Sequence, residues 1–229
     1  MIKLAIYILL TLLVVLTGYR LIRLKVSVTT YRLYWAKLAF EKPTPDDFIY
    51  VALGDSTAQA IGASKPSNGY VALVGKHIEQ KTGKKVHIIN LSVSGAKIQD
   101  VINDQLPKLS KIPKVDMVTI EIGANNVATY DEAEFTAEFS GLLDKLPVGT
   151  YVADVPSFAG GRKRGLSKTS EQAAAVADQL IVQRPQLNVV KLYDKTKGQG
   201  LNDFAADYFH PNNSGYKNWA AAFIEAIEK

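Results

Sequence analysis

The chain has 229 residues, with 27 Lys plus Arg against 22 Asp plus Glu, three His and no Cys. At about 150 residues per domain this suits one globular domain and an appendage, and 47% hydrophobic with 21% charged residues excludes a disordered chain or a many-pass membrane protein. The lack of Cys excludes a disulfide scaffold, a thiolate-ligated metal, a thiol nucleophile and a lipidated N-terminal cysteine, while His77, His87 and His210 form no metal-binding spacing, so a His-ligated metal centre is not expected.

The positive charge is concentrated at the start. Residues 1–42 hold Lys3, Arg20, Arg23, Lys25, Arg32, Lys37 and Lys42 against Glu41, a balance of +6, which leaves −1 for residues 43–229. A neutral body argues against a nucleic-acid partner, and basic residues beside an apolar run are attracted to anionic lipid headgroups. Leu4 to Tyr19 is that run, sixteen uncharged residues between Lys3 and Arg20. It is short of the ~20 residues of a comfortable span, but snorkelling by Lys3, Arg20 and Arg23 extends it. Leu16-Thr17-Gly18 is a poor cleavage site. Residues 1–25 therefore read as a transmembrane anchor or uncleaved signal, with secretion after cleavage as the alternative. Positive-inside counting favours a cytoplasmic body, whereas a signal-like N-terminus argues for export; the expectation adopted is an extracytoplasmic domain. Residues 26–45, with Tyr31, Tyr34 and Trp35, read as a basic aromatic connector ending at Pro43-Thr44-Pro45, and 46–229 as the globular domain. Deleting residues 1–42 is then expected to leave that domain folded and soluble.

From residue 46 the pattern alternates. Apolar, β-branched runs at 48–53, 86–91, 117–122, 151–155 and 189–193 predict strands, and segments of helical period at 68–82, 97–111, 131–146, 168–184 and 213–228 predict helices. Asp131, with Glu134 three residues on, predicts an N-cap. Near-continuous apolar strands alternating with helices predict an α/β chain: a five-stranded parallel sheet in a three-layer α/β/α sandwich of flavodoxin-like kind, preceded by an N-terminal hydrophobic helix.

Ligands of an open parallel sheet sit beyond the carboxyl ends of its strands. The residues expected there are Gly54-Asp55-Ser56-Thr57 after the first strand, Ser94-Gly95 after the second, Gly123-Ala124-Asn125-Asn126 after the third, and Asp207-Tyr208-Phe209-His210-Pro211 before the last helix. Each has an ordinary reading: Ser56 as a helix cap, Gly95 as a turn glycine, Asn125 as an Asx-turn, His210 as a structural histidine. Together at one sheet edge they supply a nucleophile, oxyanion donors, a base and a carboxylate to orient it. His77 in a helix and His87 in a strand are poorly placed to reach the serine. Arg162, Lys163 and Arg164, after the fourth strand, are ordinarily solvated charge. At this edge they are also candidate contacts for an anionic substrate.

These four blocks, in order over about residues 48–228, resemble those of the GDSL/SGNH hydrolase superfamily. Gly54-Asp55-Ser56 matches the nucleophile block, Gly95 the second, Gly123-Ala124-Asn125 the third and Asp207-Tyr208-Phe209-His210 the last. One position departs, since Asn126 stands where the family usually has Asp. The resemblance implies the SGNH hydrolase fold and a serine esterase or acylhydrolase acting on lipid or acylated carbohydrate esters. In it Ser56 attacks, His210 takes the proton, Asp207 orients the imidazole, and Ser56 N–H, Gly95 N–H and the Asn125 amide form the oxyanion hole, a mechanism that needs no metal or organic cofactor. The α/β-hydrolase elbow G-x-S-x-G is a near fit at 54–58, but here the serine follows the first strand and the acid lies three residues before the His. Acyl transfer by the same triad, or a catalytically silent membrane-tethered binding module, are the other readings the sequence leaves open.

Overall fold

The computed structural model describes residues 2–229, without the side chains of Ile2 and Ala5; Met1 of the expected anchor lies outside the described residues. The chain begins with one long helix, α1 (Ile2–Phe40). It continues through β1 (Phe48–Gly54), α2 (Tyr70–Thr82), β2 (Val86–Asn90) and a helical stretch α3 (residues 98–109). Then come β3 (Met117–Glu121), α4 (Glu132–Leu143), β4 (Tyr151–Ala153), α5 (Ser167–Val182), β5 (Asn188–Val190), α6 (Leu192–Thr196) and α7 (Asn213–Ile227).

The five strands are all parallel, in the order β2-β1-β3-β4-β5. This is the flavodoxin-like order, whose reversal between β1 and β3 opens a crevice at their carboxyl ends. The central strands carry apolar residues on both sides because both faces are covered. On one face Val51, Leu53 and Ile120 pack with Phe135, Phe139 and Leu142 of α4, Ala173 and Ala177 of α5, and Ile98 and Val101 of α3. On the other, Tyr50 and Ala52 pack with Val71 and Val74 of α2 and with Tyr216, Trp219 and Phe223 of α7. The three-layer α/β/α sandwich expected from the alternation is the architecture observed.

Local signals explain the element ends. Asp131 Oδ1 accepts the Glu134 N–H at 2.9 Å, the expected cap of α4. Asn212 caps α7 by accepting from Ser214 N and Gly215 N. The fourth and fifth strands stop early. The 189–193 run was expected to be extended throughout, but only Asn188–Val190 pairs, and Leu192–Thr196 is helical. The cause is Asp154, just past β4, whose Oδ1 accepts the Tyr193 N–H at 2.7 Å and so stabilises the start of α6. A π turn at Val101–Gln105 interrupts α3.

Residues 26–40, expected as a connector, continue α1 without a break. One face of this half is built into the globular layer: Trp35 is 2% exposed and Tyr31 9%. Trp35 Nε1 donates to Gln59 O at 3.1 Å and Tyr31 Oη to Ala63 O at 2.9 Å. Both rings join the apolar cluster that holds Ala58, Ala60 and Ile61, the segment directly after Ser56. Residues 4–17 carry no buried side chain among those described, in keeping with a run of residues whose partner is not in the fold.

The expected deletion at residue 42 therefore removes part of the core. Truncating a buried Trp typically costs about 3–5 kcal/mol, a large share of a domain's stability. A fragment 43–229 should unfold at a clearly lower denaturant midpoint than a fragment 20–229, and Trp35→Ala in the full chain should reproduce most of the loss. Equal midpoints in urea titrations of the two fragments would show that the packing of α1 contributes nothing.

Candidate active site

β1 delivers the serine. Its last residue, Gly54, is held on both backbone groups by one buried side chain: Gly54 N–H donates to Gln105 Oε1 at 2.9 Å and Gln105 Nε2 donates to Gly54 O at 2.8 Å. Gln105 lies at the end of the π turn, a helix irregularity often found where a side chain must be re-aimed at a site. The chain then turns, and Ser56 is 5% exposed at the carboxyl edge of the sheet.

The loop before α7 returns 154 residues later to meet it. His210 Nε2 lies 3.0 Å from Ser56 Oγ, and His210 Nδ1 lies 2.6 Å from Asp207 Oδ2. Asp207 Oδ1 accepts the backbone N–H of Phe209 at 3.0 Å and of His210 at 3.1 Å. Burial pushes the Asp207 carboxyl up, but the hydrogen bond and charge of His210 and the two backbone donors outweigh it and hold the group below its usual range. An ionised Asp207 is an acceptor only, so the Nδ1 proton belongs to His210, and Nε2 is left to accept the serine proton. The turn that makes this geometry includes Tyr208 in a left-handed conformation, φ 54°.

The second and third blocks meet beside the serine. Asn125 Nδ2 donates to Asp55 Oδ2 at 2.9 Å and to Ala96 O at 3.0 Å. Its amide therefore joins the residue before Ser56 to the residue after Gly95. Gly95 is exposed and has φ +85°, a conformation that side chains rarely adopt. Among the described residues, neither the Ser56 nor the Gly95 backbone N–H donates to a backbone acceptor. Asn126 has a separate role. Its Oδ1 accepts from Ile98 N at 3.3 Å, as an Asp would, while its Nδ2 donates to Glu138 Oε2 at 3.1 Å, which an Asp could not do.

Sequence reasoning missed a buried acid network beneath these groups. Asp55 Oδ1 accepts from Thr57 N and Thr57 Oγ1, both at 2.9 Å, and Glu121 Oε2 lies 2.5 Å from the same Thr57 Oγ1. Burial pushes both carboxyls above their usual range, Glu121 most, and the Asp55 charge adds to the shift of Glu121. Asp55 has three donors and Glu121 none but the threonine hydroxyl. The one hydroxyl proton of Thr57 thus faces two carboxyl acceptors, and of the two Asp55 is the better furnished with donors to carry charge, whereas burial disfavours the charged form of Glu121 most. The available signal was a glutamate inside the apolar run 117–122, where a charged residue has no solvent to face.

The remaining candidates separate. Arg162, Lys163 and Arg164 are exposed, yet their loop docks on the histidine turn: Arg162 N donates to Tyr208 O at 2.5 Å, and Lys163 Nζ lies 6.0 Å from the Phe209 ring centroid. His77 bonds Glu228 at 2.8 Å on the outer helical layer, and His87 is buried within β2. An apolar pocket with about 20 Å³ of free volume touches Ser56 and His210 and is walled by Phe158, Phe204 and Phe209. No group of three or more His, Asp or Glu able to hold a metal occurs among the described residues.

The fold is shared with several solved structures. A lipase from a goat rumen metagenome, Lip_vut3, is 21% identical with a TM-score of 0.63, covering 78% of this chain and 97% of its own. TesA is 20% identical with a TM-score of 0.65, covering 79% and 98%. Axe2, an acetylxylan esterase from Geobacillus stearothermophilus, is 20% identical with a TM-score of 0.60, covering 80% and 94%. At these identities the likeness establishes the fold. No curated protein matches the chain in sequence. The profile of the GDSL-like Lipase/Acylhydrolase family matches residues 52–217, from within β1 through the start of α7. The chain belongs to the GDSL-like lipase/acylhydrolase family, and its chemistry is that of a carboxylic ester hydrolase.

Proposed function

We propose that Ser56, His210 and Asp207 are the catalytic triad of a serine esterase tethered to a membrane by the first half of α1. The observation that carries this reading is the continuous chain of hydrogen bonds from Ser56 Oγ through His210 to Asp207, at 3.0 and 2.6 Å. Ser56 Oγ attacks the ester carbonyl as His210 Nε2 takes its proton. The imidazolium is stabilised by Asp207 and then protonates the leaving alcohol, and a water molecule repeats the sequence to release the acid. The backbone N–H groups of Ser56 and Gly95 are the oxyanion donors. Asn125 holds the two loops that carry them and reaches the oxyanion by sharing the proton it gives Ala96 O.

The acyl group is short. About 20 Å³ of free volume beside Ser56 accommodates little more than one water-sized group, so a long chain must displace Phe158, Phe204 or Phe209. Short acyl esters, such as acetylated carbohydrate hydroxyls, fit this reading better than long-chain lipids, and the exposed 162–164 loop supplies positive charge for an acidic substrate. The anchor is supported by α1, which within Ile6–Phe40 is long and apolar enough to cross a membrane. The reaction is carried by residues 46–229, and residues 1–25 hold it at the bilayer.

A fluorophosphonate probe should label the wild type and not Ser56→Ala, and hydrolysis of p-nitrophenyl acetate should exceed that of the octanoate. Ser56→Ala and His210→Ala should each lower kcat by about 10⁶-fold, and Asp207→Ala by about 10⁴-fold. Full activity in His210→Ala, or its loss in a folded His77→Gln or His87→Gln, would overturn the choice of base.

Asn125→Ala should lower kcat by about 10²–10³-fold with KM nearly unchanged, because the donors it positions act as charge develops. Asn125→Asp should be worse, since it sets a carboxylate against Asp55 Oδ2. An active Asp variant would leave Asn125 as a loop-shaping residue only.

Asn126→Asp replaces a donor to Glu138 by a second carboxylate. It should cost about 1–2 kcal/mol of stability at pH 8, and Glu138→Gln should restore it. Thermal denaturation of the single and double variants gives the answer; an additive pair of effects would refute the contact.

A further inference from the structure

One sizeable cavity lies apart from Ser56. It is a cleft of about 530 Å³ between α1 and the globular body, with Arg20, Arg23, Ser27 and Tyr31 on one wall and residues 62–64, 204–206 and 212–214 on the other. Its charge has one sign. Two guanidinium groups line it and, among the described residues, no carboxylate does. Arg20 and Arg23 are three residues apart and so share one face of α1. Arg23 Nη2 donates to Ser64 O at 2.8 Å and its guanidinium also bonds the Tyr31 hydroxyl, which ties the group across the cleft and leaves the rest of its five-donor fork for a guest. Arg20 forms no salt bridge among the described residues.

The opposite wall is polar and held in place. Ser64 N donates to Asn213 Oδ1 at 2.8 Å, and Asn213 Nδ2 returns a bond to Ser64 Oγ at 2.9 Å. Gly62 forms the back, at φ +100°; a Cβ there would lie 2.3 Å from Pro211 O and 2.8 Å from His210 Cβ. The backbone that closes the cleft is thus in contact with the residue proposed as the base.

The position of the cleft identifies the guest. The uncharged run ends at Tyr19, and Arg20 is the first residue of the cleft wall. With the run in the hydrocarbon layer, Arg20 and Arg23 stand at headgroup depth, where the abundant anion is the phosphate of a lipid. Two arginines match a phosphate geometrically as well as in charge. The absence of a lining carboxylate leaves nothing to pair with a choline or ethanolamine cation.

We propose that this cleft binds the phosphodiester headgroup of an anionic phospholipid, with Arg20 and Arg23 on the phosphate, as a bound ligand that seats the domain on the bilayer rather than as the substrate. The proposal rests on α1 being a membrane anchor.

The test uses the full chain carrying Ser56→Ala, so that no lipid is turned over. Flotation with phosphatidylcholine vesicles first reads the anchor; a chain that stays at the bottom of the gradient removes the anchor and the headgroup site with it. Thermal unfolding in detergent micelles then reads the cleft. Dioleoylphosphatidylglycerol should raise Tm by about 5 °C over an equal mole fraction of dioleoylphosphatidylcholine. Arg20→Gln with Arg23→Gln should abolish that difference, and Arg20→Gln alone, which breaks no internal bond, should at least halve it. Lys25→Gln with Arg32→Gln removes the same charge from exposed positions of α1 outside the cleft and should leave the difference intact. Equal Tm in the two lipids, or equal losses in the two double variants, would overturn the site in favour of diffuse attraction. An equal rise with inorganic phosphate alone would overturn the lipid headgroup as the ligand.

Discussion

The carboxyl end of β1 is a tightly constrained point of the structure, because Ser56, two residues beyond it and only 5% exposed, must meet a histidine 154 residues away. Gln105 supplies the constraint by bonding both backbone groups of Gly54, whose carbonyl also accepts the Val93 N–H at 3.1 Å. Both ends of that amide are buried, so neither bond has water to compete with it. Ser56, the loops of Gly95 and Asn125, and His210 all meet at this end of the sheet.

Below Ser56 the chain carries a cost that the fold meets with a proton. Two carboxyls, Asp55 and Glu121, share a threonine hydroxyl in a region without solvent, and they cannot both be ionised. Burial disfavours the charged form of both, Glu121 most, while Asp55 collects three donors: Thr57 N, Thr57 Oγ1 and, from the other side, Asn125 Nδ2. The same Asn125 amide binds Ala96 O, so the charge on Asp55 indirectly orients the loop of Gly95. Asn126 shows the economy of the neighbouring position, where an amide satisfies both a backbone donor and a carboxylate acceptor.

The long first helix joins two environments. Its N-terminal run exposes large apolar side chains such as Leu9, Leu12 and Val14, while Tyr31 and Trp35 are packed against the segment that follows the serine. The helix runs through both regions without a break, at about 1.5 Å of rise per residue. The cleft lies where the apolar run gives way to the packed half.

Much of this was legible in the residues alone. Strands and helices alternate as the apolar periodicity indicates, because burial on both faces of a parallel sheet leaves a direct mark on composition. Ser56, Gly95, Asn125, Asp207 and His210 could be assigned to one edge because strand ends and connection direction fix where a parallel sheet presents its loops. The standing of residues 26–40 was not legible: Tyr31 and Trp35 read equally well as interfacial residues, since an aromatic side chain does not disclose whether lipid or protein covers it. Gln105 looked like any polar residue on a helix, and Glu121 like an interruption in a strand. Their roles are set by partners 51 and 64 residues away. Periodicity records that a position is buried or exposed, whereas the partner of a buried hydrogen bond is chosen only when the layers close. For the same reason the helix at Leu192 was read as strand: the carboxylate that starts it belongs to Asp154, on the neighbouring strand's end, and only the assembled sheet brings the two together.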